Sequence, residues 1–136
     1  MISRLSTKDP ELDALLQAAD VSLRKNAAWL AAQAAVVHTQ LGTDRRYLAI
    51  QPQTAEQLDA LVQELDEEYF DLQDLIEVGK ATEQQVVDAF SKARAAAAVF
   101  FAFNGEFGEA VYEALSSCDD PATIALIART GLGNST

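Results

Sequence analysis

The chain has 136 residues and a formal net charge of −11, with 49% hydrophobic residues. This length suits one domain, so we expect a single helical-bundle domain over residues 1–136 with flexible ends at 1–8 and 131–136. The acidic balance disfavours direct binding of nucleic acid or of an anionic membrane.

The first predicted helix runs from about residue 10 to 41. Asp9 suits the N-cap and Pro10 the first helical position, and apolar residues then recur every three or four positions. We expect one continuous helix, with a break near Asp20 as the alternative. Residues 43–53 lack helical spacing, so they are expected to form a long connection.

Two capping boxes begin the next two helices. Thr54 precedes a helix predicted over about 55–78, and Thr82 precedes one predicted over about 83–103. In each box the side chain three residues later is a glutamine, which is the expected partner of the capping threonine.

Two shorter helices complete the predicted fold, over about 107–118 and 121–130. In the whole chain prolines and glycines are few, and most of them lie where a predicted helix begins or ends, as in an all-α protein. The expected architecture is an antiparallel bundle of three long helices with two short C-terminal ones.

The second half of the third helix is apolar on every side. Its nine apolar residues, Ala95–Phe103, cover about 14 Å of helix, which is too short to span a bilayer. We expect the C-terminal helices to cover it as core. One alternative is a homodimer seam of small residues: Ala95, Val99 and Ala102. Another is a ligand cavity beneath three phenylalanines: Phe100, Phe101 and Phe103.

The negative charge is concentrated on the second helix. Between residues 51 and 79 there are nine acidic residues and no lysine or arginine. Like charges three or four positions apart cost about a few tenths of a kcal/mol per pair, and ordinary surfaces intersperse lysines. We therefore predict an acidic ridge that binds a basic protein partner; a merely solvated face is the alternative. The acidic ridge consists of six residues: Glu56, Glu64, Glu67, Glu68, Asp71 and Asp74.

Catalytic and metal-binding motifs are not recognisable. His38 is the one histidine, so the Glu-x-x-His pairs of bundle metal sites cannot occur, and we predict no metal, no cofactor and no enzymatic activity. The one cysteine, Cys118, is expected to be buried and inert. Arg94 is predicted to pair with an acid such as Glu83 or one on a neighbouring helix; an anion-binding role is the alternative.

The predicted function is that of a cytoplasmic, non-enzymatic module that inhibits or neutralises a basic protein, as immunity, antitoxin or phage-encoded inhibitor proteins do. The start of the chain lacks the pattern of a secretory signal. A structural or regulatory homodimer is the first alternative, and a small-ligand receptor or enzyme the second. The basic segment around Arg45, Arg46 and Tyr47 is either a second contact site or a partner of the acidic helix within the molecule.

Overall fold

The computed structural model describes residues 3–51 and 53–133, and the predicted all-α helical bundle is confirmed over these residues. One 3-10 turn, Leu41–Thr43, accompanies the α-helices. The helices of the described chain are α1 (Arg4–Lys8), α2 (Pro10–Ala18), α3 (Val21–His38), α4 (Arg45–Ala49), α5 (Ala55–Glu77), α6 (Glu83–Phe103), α7 (Phe107–Ser116) and α8 (Pro121–Gly131).

The predicted continuous helix over 10–41 is wrong, and the alternative break near Asp20 is what the structure has. Ala19 and Asp20 are extended, and the Asp20 side chain accepts a hydrogen bond from the backbone N–H of Leu23 at 3.0 Å. Arg24 donates through Nε to the Ala19 carbonyl at 2.8 Å. The break is therefore capped on both sides, which compensates for the helical hydrogen bonds it removes.

Two segments expected to be irregular are helical. Residues 43–53 contain α4, which Asp44 begins by accepting a hydrogen bond from the backbone N–H of Arg46. Within the N-terminal end expected to be flexible, α1 forms and buries Leu5 in the core. The last part of the expected C-terminal flexible end, residues 134–136, lies outside the described residues.

The remaining helices begin and end close to their predicted bounds. Both capping boxes are formed, with Thr54 at the start of α5 and Thr82 at the start of α6. Beyond α5, Gly79 adopts a positive φ of 74°, a conformation that suits glycine after the end of a helix. None of the described helices combines the length and the apolar character needed to cross a membrane.

Small side chains build much of the core. α6 packs against α3, α5 and α7, while α3 also packs against α8. In α3 the buried residues are all alanines, which allow neighbouring helices to approach closely. At Gly131 in α8, an added Cβ would lie 2.8 Å from the Cα of Ala27, so this crossing has no space for a side chain.

The three residues named for the alternative of a homodimer seam on α6 are buried within the chain. Ala95, Val99 and Ala102 are 0%, 2% and 3% exposed, so they belong to the interior of the chain. Phe100 and Phe101 pack against the same core and contact each other with ring centroids 5.5 Å apart. Packing within one chain therefore accounts for the apolar stretch up to Ala102, while Phe103 is exposed.

The helical hairpin of α5 and α6 is buried over only half of its length. Buried residues of α5 end at Leu65, and the next buried residue along the chain is Ala89. We call residues 66–88, none of which is buried, the hairpin tip. Since α5 packs chiefly against α6, most of the surface of the hairpin tip is open, although Glu68 pairs with Arg46 of α4.

Candidate functional site

The acidic ridge lies along the open side of α5. Among the described residues, no lysine or arginine forms an ion pair with five of its six carboxylates, and all five are exposed. These five are Glu56, Glu64, Glu67, Asp71 and Asp74. Glu68 differs, because it is half-buried and forms an ion pair with Arg46.

Glu68 belongs to a cluster of four charged residues that joins α4, α5 and α6. Arg46 Nη2 and Lys92 Nζ lie 2.9 Å and 3.2 Å from Oδ2 of Asp44. Hydrogen bonds, chiefly from the Arg46 side chain, hold the pKa of Asp44 well below its usual range. The basic segment after the 3-10 turn therefore binds the acidic helix within the molecule through Arg46, while Arg45 is exposed.

A second ionic network centres on Glu113 of α7, which is only 1% exposed. Its two carboxylate oxygens accept hydrogen bonds from Arg4 Nη2 at 2.9 Å and from Arg94 Nη1 at 2.8 Å. Arg94 also donates to Asp66 of α5 at 2.7 Å, and Arg4 pairs with Glu109 of α7. Arg94 is thus a link between α5, α6 and α7, with Asp66 and Glu113 as partners in place of Glu83.

Glu113 and Arg4 were not identified from the sequence. An indication was present, since Glu113 follows Glu109 by one helical turn on a helix whose neighbouring positions are apolar. Arg4, however, stands in a segment expected to be flexible. Of the two arginines that pair with Glu113, only Arg94 was therefore expected to contact an acid on a neighbouring helix.

An aromatic patch lies beside the acidic ridge on the hairpin tip and the adjoining turn of α6. It consists of Tyr69, Phe70 and Phe90: the ring centroids of Tyr69 and Phe70 are 5.2 Å apart, and those of Tyr69 and Phe90 are 5.3 Å apart. Phe70 is 60% exposed. The patch forms one wall of a groove of about 350 Å³ that extends to Tyr112 and Arg4.

A second cavity, of about 320 Å³, lies where α3 ends beside α6 and includes His38, Lys92 and Cys118 in its lining. His38 is exposed and Cys118 is half-buried, so the thiol is less enclosed than expected. The described residues contain no hydrogen bond between the His38 ring and the Cys118 thiol, which a paired nucleophile and base would use. Nor do they contain a group of three or more histidine, cysteine or acidic side chains placed to hold a metal ion.

The acidic ridge and the aromatic patch meet at Phe70. On α5 this ring is one helical turn from Asp66 and Glu67 on one side and from Asp74 on the other. Comparison with known proteins gave no matching family model, no matching curated protein and no matching solved structure. The structure of the described residues is therefore the basis for any proposal about function.

Proposed function

We propose that the protein is a non-enzymatic binding module that inhibits or neutralises a basic partner protein through the acidic ridge of α5. An immunity protein, an antitoxin or a phage-encoded inhibitor would be an example of such a module. The observation that carries the proposal is the contrast within α5. Asp66 and Glu68 are paired with arginines, whereas five carboxylates of the acidic ridge are exposed and lack such a pair in the described chain.

Uncompensated carboxylates favour a basic partner for two physical reasons. Their field attracts positive surfaces over a distance of about one Debye length, roughly 8 Å at physiological ionic strength, and raises the association rate. Repulsion between neighbours such as Glu64, Glu67 and Asp71 is also relieved when a basic surface lies against them. A nuclease or another nucleic-acid-binding protein would offer such a surface, and the acidic ridge would occupy its nucleic-acid site.

A cytoplasmic location forms part of the proposal. The single cysteine of the chain, Cys118, is compatible with the reducing conditions of that compartment. The alternative of an enzyme gains no support from the cavity near His38, because its side chains are not arranged as a nucleophile with its base.

The test is a pull-down from native cell extract with the wild-type chain and a triple variant, Glu64→Lys, Glu67→Lys and Asp71→Lys. All three side chains are exposed, so reversal leaves the core unchanged. We expect the wild type to retain a basic protein at about 0.15 M salt and release it at about 1 M, since the Debye length falls to roughly 3 Å. The triple variant should retain none of it.

The matched control reverses three exposed acids outside α5: Glu83, Glu106 and Asp119. It changes the net charge by the same amount as the ridge variant. If only the ridge variant fails to retain the partner, the acidic ridge is a docking surface and the effect is not one of net charge. Unchanged partners in the ridge variant, or equal losses in both variants, would contradict the proposal.

A further inference from the structure

An exposed aromatic ring in the middle of an acidic surface is the least expected feature of α5. Phe70 is 60% exposed, although burying a phenylalanine stabilises a fold by about 1.5–3 kcal/mol. Three of its four neighbours one turn away are acids, and two of these, Glu67 and Asp74, are exposed on the acidic ridge. A large apolar side chain surrounded by charges has the layout of an interface centre with a polar rim.

The surroundings of Phe70 are already ordered in the free chain. Tyr69 contacts both Phe70 and Phe90, and its hydroxyl accepts a hydrogen bond from Gln73 Nε2 at 2.8 Å. Arg94, whose guanidinium carbon is 5.9 Å from the centroid of the Phe90 ring, ties this end of the groove to α7. A partner would therefore meet a preformed patch, which lowers the ordering cost of binding.

We infer that the aromatic patch is the apolar centre of the partner-binding surface and that the partner element docked there is a basic amphipathic helix. This inference rests on the proposed function. The apolar side of that helix packs on Phe70 and Phe90. Its lysines or arginines lie against carboxylates of the acidic ridge, with Glu67 and Asp74 closest to Phe70.

The shape and the charge both favour this occupant. α5 and α6 lie side by side, and the groove along the aromatic patch is open to a third helix, as in helix-in-groove recognition. The carboxylates beside Phe70 require positive charges next to the apolar anchor. A second copy of this chain does not meet that requirement, because it would bring the same acidic surface to the interface of a molecule with net charge −11.

The probe is a pair of labelled synthetic peptides of identical leucine, alanine and lysine content. In the first peptide the leucines form one face of a helix, and in the second the same residues are shuffled so that no face is apolar. Fluorescence anisotropy at physiological salt measures the affinity of each peptide. We expect the wild type to bind the amphipathic peptide about tenfold more tightly than the shuffled one, because only the first can fill the patch.

The diagnostic variant is Phe70→Ala. The matched control is Phe103→Ala, because Phe103 is also exposed but lies at the C-terminal end of α6, away from the aromatic patch. Phe70→Ala should remove most of the preference for the amphipathic peptide, while Phe103→Ala keeps it. The ridge variant of Glu64, Glu67 and Asp71 should weaken both peptides. Circular dichroism of each variant checks that the fold is retained, and Phe70→Leu, which keeps an apolar side chain, should restore part of the preference.

The failure of this inference can be told apart from the failure of the proposed function. A wild type without preference between the peptides, one that binds neither, or a Phe70→Ala variant that keeps the full preference overturns the inference. The pull-down and its charge reversals decide the proposed function independently. Light scattering adds a further outcome: a wild-type dimer that Phe70→Ala converts to a monomer assigns the patch to a second copy and also overturns the inference.

Discussion

Replacing Glu113 with glutamine tests how the helices are joined around the buried carboxylate. Glu113 is 1% exposed and accepts hydrogen bonds from Arg4 and Arg94. Glutamine has nearly the same shape but removes the charge and turns an NH₂ group toward one guanidinium. One charge-assisted hydrogen bond is therefore lost outright and the other is weakened.

The magnitude follows from how much water reaches the two arginines. Breaking a buried ion pair costs about 3–5 kcal/mol when the remaining charge stays buried. Here the side chain of Arg4 is 49% exposed, so water solvates it, and Arg94 keeps its hydrogen bond to Asp66. We therefore expect Glu113→Gln to lower the free energy of unfolding by about 2–3 kcal/mol, less than for a fully enclosed pair.

Urea unfolding followed by circular dichroism measures this loss directly. Thermal unfolding should show a fall in Tm of about 6–12 °C for a chain of this size. The matched control is Glu109→Gln, because Glu109 pairs with the same Arg4 but is half-buried, and it should cost less than about 1 kcal/mol. Equal effects of the two variants, or an unchanged stability for Glu113→Gln, would refute the assignment of Glu113 as the junction of α1, α6 and α7.

Two further predictions concern stability. Gly131→Ala should lower the free energy of unfolding by about 1–3 kcal/mol, because its Cβ would meet backbone atoms of Ala27. Gly108→Ala is the control: its Cβ would have only Leu16 nearby, at 3.9 Å, so the variant should be neutral or stabilising. Urea unfolding measures both variants. The pKa of Asp44 is lower in the folded chain than in the unfolded one, so its ion pairs stabilise the fold above about pH 4 and lose this effect as the pH falls. The stability gap between the wild type and Asp44→Asn, which keeps the helix cap, should therefore be larger at about pH 7 than at about pH 3.

Local patterns were sufficient to predict the longer helices. The capping boxes of α5 and α6 depend on residues three positions apart, so they are readable from the chain itself. The break before α3 was harder, because the apolar spacing continues through Asp20 as if the helix were unbroken. The spacing of apolar residues indicates which face of a helix is buried, but it does not show where the helix ends. The end of α2 depends on the hydrogen bond from the Arg24 side chain to the carbonyl of Ala19.

The pairing of charges depends on tertiary structure and was therefore only partly predictable. Glu67 and Glu68 are adjacent in sequence, yet Glu67 is exposed whereas Glu68 pairs with Arg46. The position of Arg46 in α4 places it beside α5. Arg4 and Glu113 are 109 residues apart, so no local pattern joins them. The exposure of the other five residues of the acidic ridge could be predicted, because it depends only on the helical period of α5 and the position of its apolar stripe.

The way the hairpin is buried bears on how the proposed interface would work. Leu58, Leu61 and Leu65 anchor the first half of α5 in the core, whereas the hairpin tip, residues 66–88, has no buried residue. Its carboxylates repel one another, and its largest exposed ring, Phe70, gains little from the fold. In the proposed interface, a basic partner surface with an apolar centre would reduce both the charge repulsion and the exposure of Phe70. The free energy that the free hairpin tip lacks would then be gained on binding, which is a physical reason for acids and aromatic rings to lie together where the hairpin has few buried residues.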